Sequence, residues 1–164
     1  MQDQHLLKAY DRDLEAIQAH VLKMGGLVED AIRQGAEALS ARDAEGAERV
    51  RAGDRAVDAL EQVVTEEVAR VMALRAPVGR DLRALLVAMR LATSLERVGD
   101  YAKNIGKRVT VLAELPAWGV EASLQRMARE VEAMLRDTLD AFVRRDDALA
   151  RDVLMRDEGL DQMY

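Results

Sequence analysis

The chain has 164 residues, a net charge of −6, 33% charged and 3% aromatic residues, two prolines and no cysteine. Net negative charge opposes sequence-independent binding to nucleic acid phosphates, and the lack of cysteine excludes disulfides and thiolate metal sites, which makes the cytoplasm the expected location. No apolar run reaches the ~18 residues needed to cross a bilayer, and Met1–His5 lacks the basic and apolar regions of a signal peptide, so membrane contact is expected to be peripheral at most.

Ala, Leu, Arg, Glu and Asp dominate, which favours helix throughout. The first helix carries Leu7, Tyr10, Leu14, Ile17, Val21, Met24, Val28 and Ala31 at alternating steps of three and four, the spacing of a long helix in a bundle. Gly25-Gly26 marks a kink or a close helix contact. The helix is expected to end near Ser40-Ala41-Arg42, with Asp43 as N-cap of the next. The second helix carries Val50, Val57, Leu60, Val64 and Val71 and stops before Arg75-Ala76-Pro77-Val78-Gly79, where Pro and Gly punctuate a turn. A third runs from Arg80-Asp81 to about Leu112, and residues 113–120, with Pro116, Trp118 and Gly119, read as a linker. A fourth carries Leu124, Met127, Val131, Met134, Thr138 and Ala141, and a fifth begins near Asp146 or Asp147.

A shift of 103 residues aligns the chain with itself without a gap. Met24 falls on Met127, Val28 on Val131, Arg33 on Arg136, Ala38 on Ala141, Arg42-Asp43 on Arg145-Asp146, Val50 on Val153, Asp54 on Asp157 and Asp58 on Asp161. A duplicated three-helix unit explains this. The predicted fold is therefore all-α: tandem antiparallel three-helix bundles, spectrin-like in layout, with a first bundle over 1–112, the linker 113–120 and a partial second bundle over 121–164. Counterparts of the third helix would fall beyond Tyr164, so the second bundle is expected to be incomplete and to expose an apolar seam that favours a homodimer or higher oligomer.

The acids carry the chemistry. On the third helix Leu82, Leu86, Met89 and Thr93 define an apolar stripe, and the same steps continue onto Glu96 and Asp100, which places two carboxylates where the core is expected. On the second helix Asp54, Asp58 and Glu61 share one face. If the two helices pack antiparallel, five carboxylates converge without a histidine. Such a cluster repels itself unless a cation neutralises it, and an all-oxygen set suits Mg²⁺, Mn²⁺, Ca²⁺ or Fe³⁺. The alternative is that nearby arginines (Arg55, Arg83, Arg90, Arg97) satisfy the acids. His5 and His20 lack the Glu three residues earlier that a ferritin-like di-iron site requires and read as surface residues. Tyr101 and Trp118 read as packing residues. No phosphate-cradling Gly-rich loop, nucleophile–base pair or zinc spacing is present, so nothing points to catalysis.

Arg75-Ala76-Pro77-Val78-Gly79-Arg80-Asp81-Leu82-Arg83 and Leu95-Glu96-Arg97-Val98-Gly99-Asp100, with Asp54-x-x-x-Asp58-x-x-Glu61 and its echo Asp157-x-x-x-Asp161, resemble the PhoU family of phosphate-signalling proteins over essentially the whole chain. The resemblance implies tandem three-helix bundles whose E(D)xxxD motifs hold multinuclear metal clusters. It implies Asp54, Asp58, Glu61, Glu96 and Asp100 as first-bundle ligands and Asp157 and Asp161 as second-bundle ligands. It also implies a non-catalytic regulator that links the ATPase of an ABC phosphate transporter to a membrane sensor histidine kinase and restrains the phosphate-starvation response. Two readings from other classes stand beside it: a carboxylate-metal enzyme on a helical bundle, and a purely structural oligomerisation bundle.

Overall fold

The computed structural model describes residues 2–115 and 119–161, the side chains of 2–8 and 161 excepted. Five helices follow one another: α1 (Gln2–Ala41), α2 (Ala44–Arg75), α3 (Gly79–Leu112), α4 (Glu121–Arg144) and α5 (Asp147–Asp161). Among the described residues there is no strand, and no helix is long and apolar enough to cross a membrane. The expected all-α fold is the one observed.

Helices α1, α2 and α3 pack on one another around a main core that includes Ile17, Val21, Met24, Val28, Val57, Val64, Val68, Val71, Leu85, Ala88, Ala92 and Leu95, with a smaller buried cluster of Ala38, Ala47 and Val109. Cross-helix pairs set the directions. Asp13 of α1 reaches Arg70 of α2 at 3.1 Å, near the opposite end of that helix, and Thr93 of α3 reaches Glu61 of α2 at 3.2 Å. Neighbours in sequence are therefore antiparallel, as short connections require. The α2–α3 turn is sharp because Ala76 is left-handed (φ 44°), with its N–H donating to the Met72 carbonyl at 3.1 Å, and Pro77 cannot continue the helix.

The repeat reappears as repeated geometry. Arg42 and Arg145, 103 residues apart, are both left-handed, with φ of 56° and 53°. Asp43 N–H donates to the Ala38 carbonyl at 2.9 Å, and Asp146 N–H donates to the Ala141 carbonyl at 3.0 Å. Asp146 caps α5 through its Oδ1, which accepts from the N–H groups of Ala148 and Leu149 at 3.0 Å each. Asp43 occupies the N-cap of α2 in extended conformation but makes no side-chain cap bond there.

The seam of α3 differs from the sequence reading. The buried residues are Leu85, Ala88, Ala92, Leu95, Gly99, Ala102, Gly106 and Val109, so the core line is displaced from Leu82, Leu86, Met89, Thr93, Glu96 and Asp100. Small residues decide this, because they let α3 approach its neighbours closely. A Cβ at Gly106 would come within 2.9 Å of the Ala47 carbonyl oxygen of α2. The larger Leu82, Leu86 and Met89 flank the contact, Thr93 is exposed, and Glu96 and Asp100 are half-buried at its rim rather than in the core. The same rotation turns Tyr101 outward, 60% exposed, where packing was expected. Trp118 lies outside the described residues.

Helix α4 lies against α1, and α5 packs on α4. A Cβ at Gly25 would overlap the Leu139 side chain of α4, so Gly25-Gly26 serves a close helix contact, and α1 runs through it without a break. Ala128, Val131, Leu135 and Phe142 join Leu139 on this contact, and Arg136 pairs with Glu29 across it. Arg156 of α5 donates to Asp137 of α4, which ties the α4–α5 hairpin together, and forms an ion pair with Asp152 of its own helix.

Candidate metal centre

The rim position of Glu96 and Asp100 is what lets them meet the acids of α2. Antiparallel packing sets Asp54 beside the part of α3 that carries Asp100 and Lys103, and sets Glu61 beside Thr93, so the acids of α2 and α3 line the same groove. Asp54 is the innermost, 6% exposed, and Asp58 is exposed. Glu61 Oε1 accepts from the hydroxyls of Thr93 (3.2 Å) and Thr65 (3.3 Å), which fixes it between the helices.

Among the described residues one cation bonds this group, and it is none of the arginines expected. Arg55, Arg83, Arg90 and Arg97 are exposed. Lys103, one turn beyond Asp100, donates to Asp54 Oδ2 across the groove and to Asp100 Oδ1 at 3.2 Å on its own helix. Those two bonds, that to Asp54 first, hold the Lys103 ammonium protonated well above the ordinary lysine range. Sequence reading missed Lys103, although its i, i+3 spacing from Asp100 in a chain with only Lys8, Lys23 and Lys107 besides was a legible signal.

A single positive charge does not settle five negative ones. Burial first, then the charges of Asp54, Asp100 and Glu61, push the Asp58 carboxyl above its ordinary range despite Lys103. Burial first, then Asp100, Asp58, Glu61 and Asp54, push Glu96 the same way. Asp54 Oδ1 is buried without a hydrogen-bond partner. It lies against the buried side of α3, where a Cβ on Gly99 would be 3.8 Å from it, 3.5 Å from Val57 and 3.7 Å from Val28. The all-oxygen group as a whole, short of positive charge, offers the donor type that a hard cation takes. Among the described residues, however, no three Asp, Glu or His side chains are gathered into a metal shell.

The remaining candidates lie elsewhere. Asp157 is exposed on α5, which packs on α4, so it stands apart from the α2–α3 cluster. The Asp161 side chain, like that of His5, lies outside the described residues. His20, expected at the surface, is half-buried, with its Nε2 3.7 Å from Glu67.

A long-helix bundle with a repeated hairpin and an acidic groove defines a class of helical repeat proteins, and known proteins resolve which one. The PhoU domain pattern matches residues 21–109 and again 124–164. The chain belongs to the PhoU family. It is 38% identical over 162 residues to the "Phosphate-specific transport system accessory protein PhoU homolog" of Caulobacter vibrioides, covering 98% of this chain and 70% of that one. The homologue of the same name from Xylella fastidiosa is 34% identical over 160 residues, covering 98% and 66%. The crystal structure of PhoU from Pseudomonas aeruginosa superposes with a TM-score of 0.90 at 32% identity, covering 94% of this chain and 75% of that one. The phosphate transport system regulatory protein PhoU from Streptococcus pneumoniae superposes at 0.86 and 31% identity, covering 94% and 73%.

Proposed function

We propose that this protein is a non-catalytic, metal-binding regulator of high-affinity phosphate uptake. In this reading it works in the cytoplasm, contacts the ATPase of an ABC phosphate transporter and a sensor histidine kinase, and holds down phosphate-starvation signalling when phosphate is plentiful. The observation that carries the regulatory part is membership of a family whose similar members are named as accessory or regulatory proteins of phosphate transport.

The observation that supports metal binding is the acid cluster of α2 and α3, which is short of positive charge and leaves a buried oxygen of Asp54 unmet. Asp54, Asp58, Glu61, Glu96 and Asp100 would hold a hard cation such as iron, manganese, magnesium or calcium. Bound there, the ion would neutralise the cluster and tie α2 to α3. Asp157 and Asp161 would contribute to a second site by the same repeat logic. The exposed Leu154 and Met155 of α5 are consistent with self-association into a homodimer or higher oligomer. Deleting the gene should derepress phosphate-starvation genes at high phosphate, measured as transcript levels. Unchanged expression there would count against the proposal.

A further inference from the structure

We propose that the solvent face of α5 is a self-docking stripe: Arg151, Leu154, Met155 and Glu158 of one copy pair with the same residues of a second copy, the two helices running antiparallel. The inference rests on the self-association reading above and names its surface and register.

Three observations carry it. First, the stripe is apolar where a solvated helix face is expected. Residues 151, 154, 155 and 158 stand at i, i+3, i+4 and i+7, one face of a helix, and all four are exposed. The face points away from Arg156, which holds α5 to α4 through Asp137. Leu154 and Met155 are 70% and 73% exposed, and among the described residues only Val78 is a more exposed large hydrophobic. Second, the repeat shows that this is not a face that a third helix covers. Arg51 and Ala52 hold the equivalent positions on α2, 103 residues earlier, and both are exposed, whereas the backbone of α3 closes on Ala47 and Val57. The first repeat carries a charge and a methyl group there; the second carries Leu and Met. Third, the charges that end the stripe complement each other. Arg151 and Glu158 lie about 5 Å to either side of the midpoint between Leu154 and Met155. Neither has an ion-pair partner among the described residues. A two-fold axis through that midpoint sets Arg151 opposite Glu158 of the partner subunit, twice per dimer. Leu154 then lies beside its own copy on one side of the axis and Met155 beside its own copy on the other. Parallel, in-register pairing would instead oppose like charges, so the charges select the antiparallel arrangement.

The stripe is about two turns long, short of the ~20–30 residues per side of a stable interface, so the pairing is weak and concentration-dependent. The test is sedimentation equilibrium of the full chain from micromolar to near-millimolar concentration, comparing wild type, Arg151→Glu, Glu158→Arg and the exchange Arg151→Glu/Glu158→Arg. Wild type is expected to dimerise reversibly. Each single variant opposes like charges twice and should weaken the dimer about tenfold, and the exchange should recover wild-type affinity to within about threefold. Both positions are exposed, so the variants should keep the fold, verified by circular dichroism. A second measurement reads the register. The chain has no cysteine, so a single one can be placed at Met155 or at Asp147, earlier on the same face. Under oxidation Met155→Cys should form a disulfide-linked dimer, whereas Asp147→Cys, about 20 Å from its copy along the helix axis, should not. A dimer indifferent to both single variants, or equal cross-linking of the two cysteines, overturns the α5 stripe and leaves self-association through another surface standing. An exchange variant as weak as the single ones overturns the antiparallel register. A monomer throughout, without cross-linking at Met155→Cys, overturns both readings and leaves the stripe to a partner other than a second copy.

Discussion

Lys103→Met in metal-free protein isolates the Lys103–Asp54 ion pair of the groove. The substitution keeps the apolar stem and removes the charge, leaving the Asp54 carboxylate 6% exposed and without its counter-ion. Breaking a fully buried pair from one side costs about 3–5 kcal/mol. Lys103 is itself 30% exposed, so water can reach the vacated position and the cost falls to about 2–3 kcal/mol. Asp100→Asn removes the other partner, a half-exposed i, i+3 pair, and should cost only about 0.3–0.5 kcal/mol. Asp54→Asn removes the buried charge itself and retains the shape, at a cost of about 1 kcal/mol. Urea unfolding with chelator present ranks the three by midpoint, provided the slopes agree. Coincident midpoints for Lys103→Met and Asp100→Asn would refute the claim that Asp54 depends on Lys103 for its charge balance.

Three further outcomes follow from the same geometry. Glu96 has its folded-state carboxyl raised above the ordinary range, so its ionisation opposes folding: the stability it contributes is present below the ordinary range and is lost as pH rises through the raised value. Glu96→Gln should therefore stabilise the chelated protein at neutral pH and lose that advantage in acid below the carboxylate range, as read from unfolding midpoints at both pH values; equal effects at both would contradict the repulsion. Gly53→Ala, in open space on α2, should stabilise by roughly 0.5–1 kcal/mol through helix propensity, measured as an increased urea midpoint. Gly106→Ala gains the same propensity but must push the Ala47 carbonyl away, so it should destabilise by about 1 kcal/mol or more, and a stabilised variant would show that α2 and α3 are not packed this closely.

What could be read from the sequence follows physical scale. Helix ends and the repeat were legible because local chemistry sets them: Pro77 after Arg75-Ala76, and Arg-Asp pairs 103 residues apart that adopt the same left-handed turn. That the acids of α2 and α3 line one groove was legible because antiparallel neighbours bring equal distances from the turn together. The α3 seam was misread because periodicity weights large apolar side chains, whereas close helix contact selects Ala88, Ala92, Gly99, Ala102 and Gly106. Leu82, Leu86 and Met89 lie beside that contact, and so do Glu96 and Asp100. Lys103 was overlooked because arginines dominate the basic residues, and only the groove geometry distinguishes the cation that reaches Asp54 from those that point to water.

The proposed cation site is tested most directly by metal content. Wild type and the Asp58→Asn/Glu96→Gln double variant are dialysed free of metal, equilibrated with Mn²⁺, separated from unbound ion and assayed for manganese per chain. Neither substituted acid carries the Lys103 bridge, so the variant should keep its fold, verified by its helical circular dichroism. Wild type is expected to retain Mn²⁺ in fixed proportion to protein and the double variant to lose most of it. Background manganese in wild type, or equal retention by both proteins, would contradict a cation site in the α2–α3 groove.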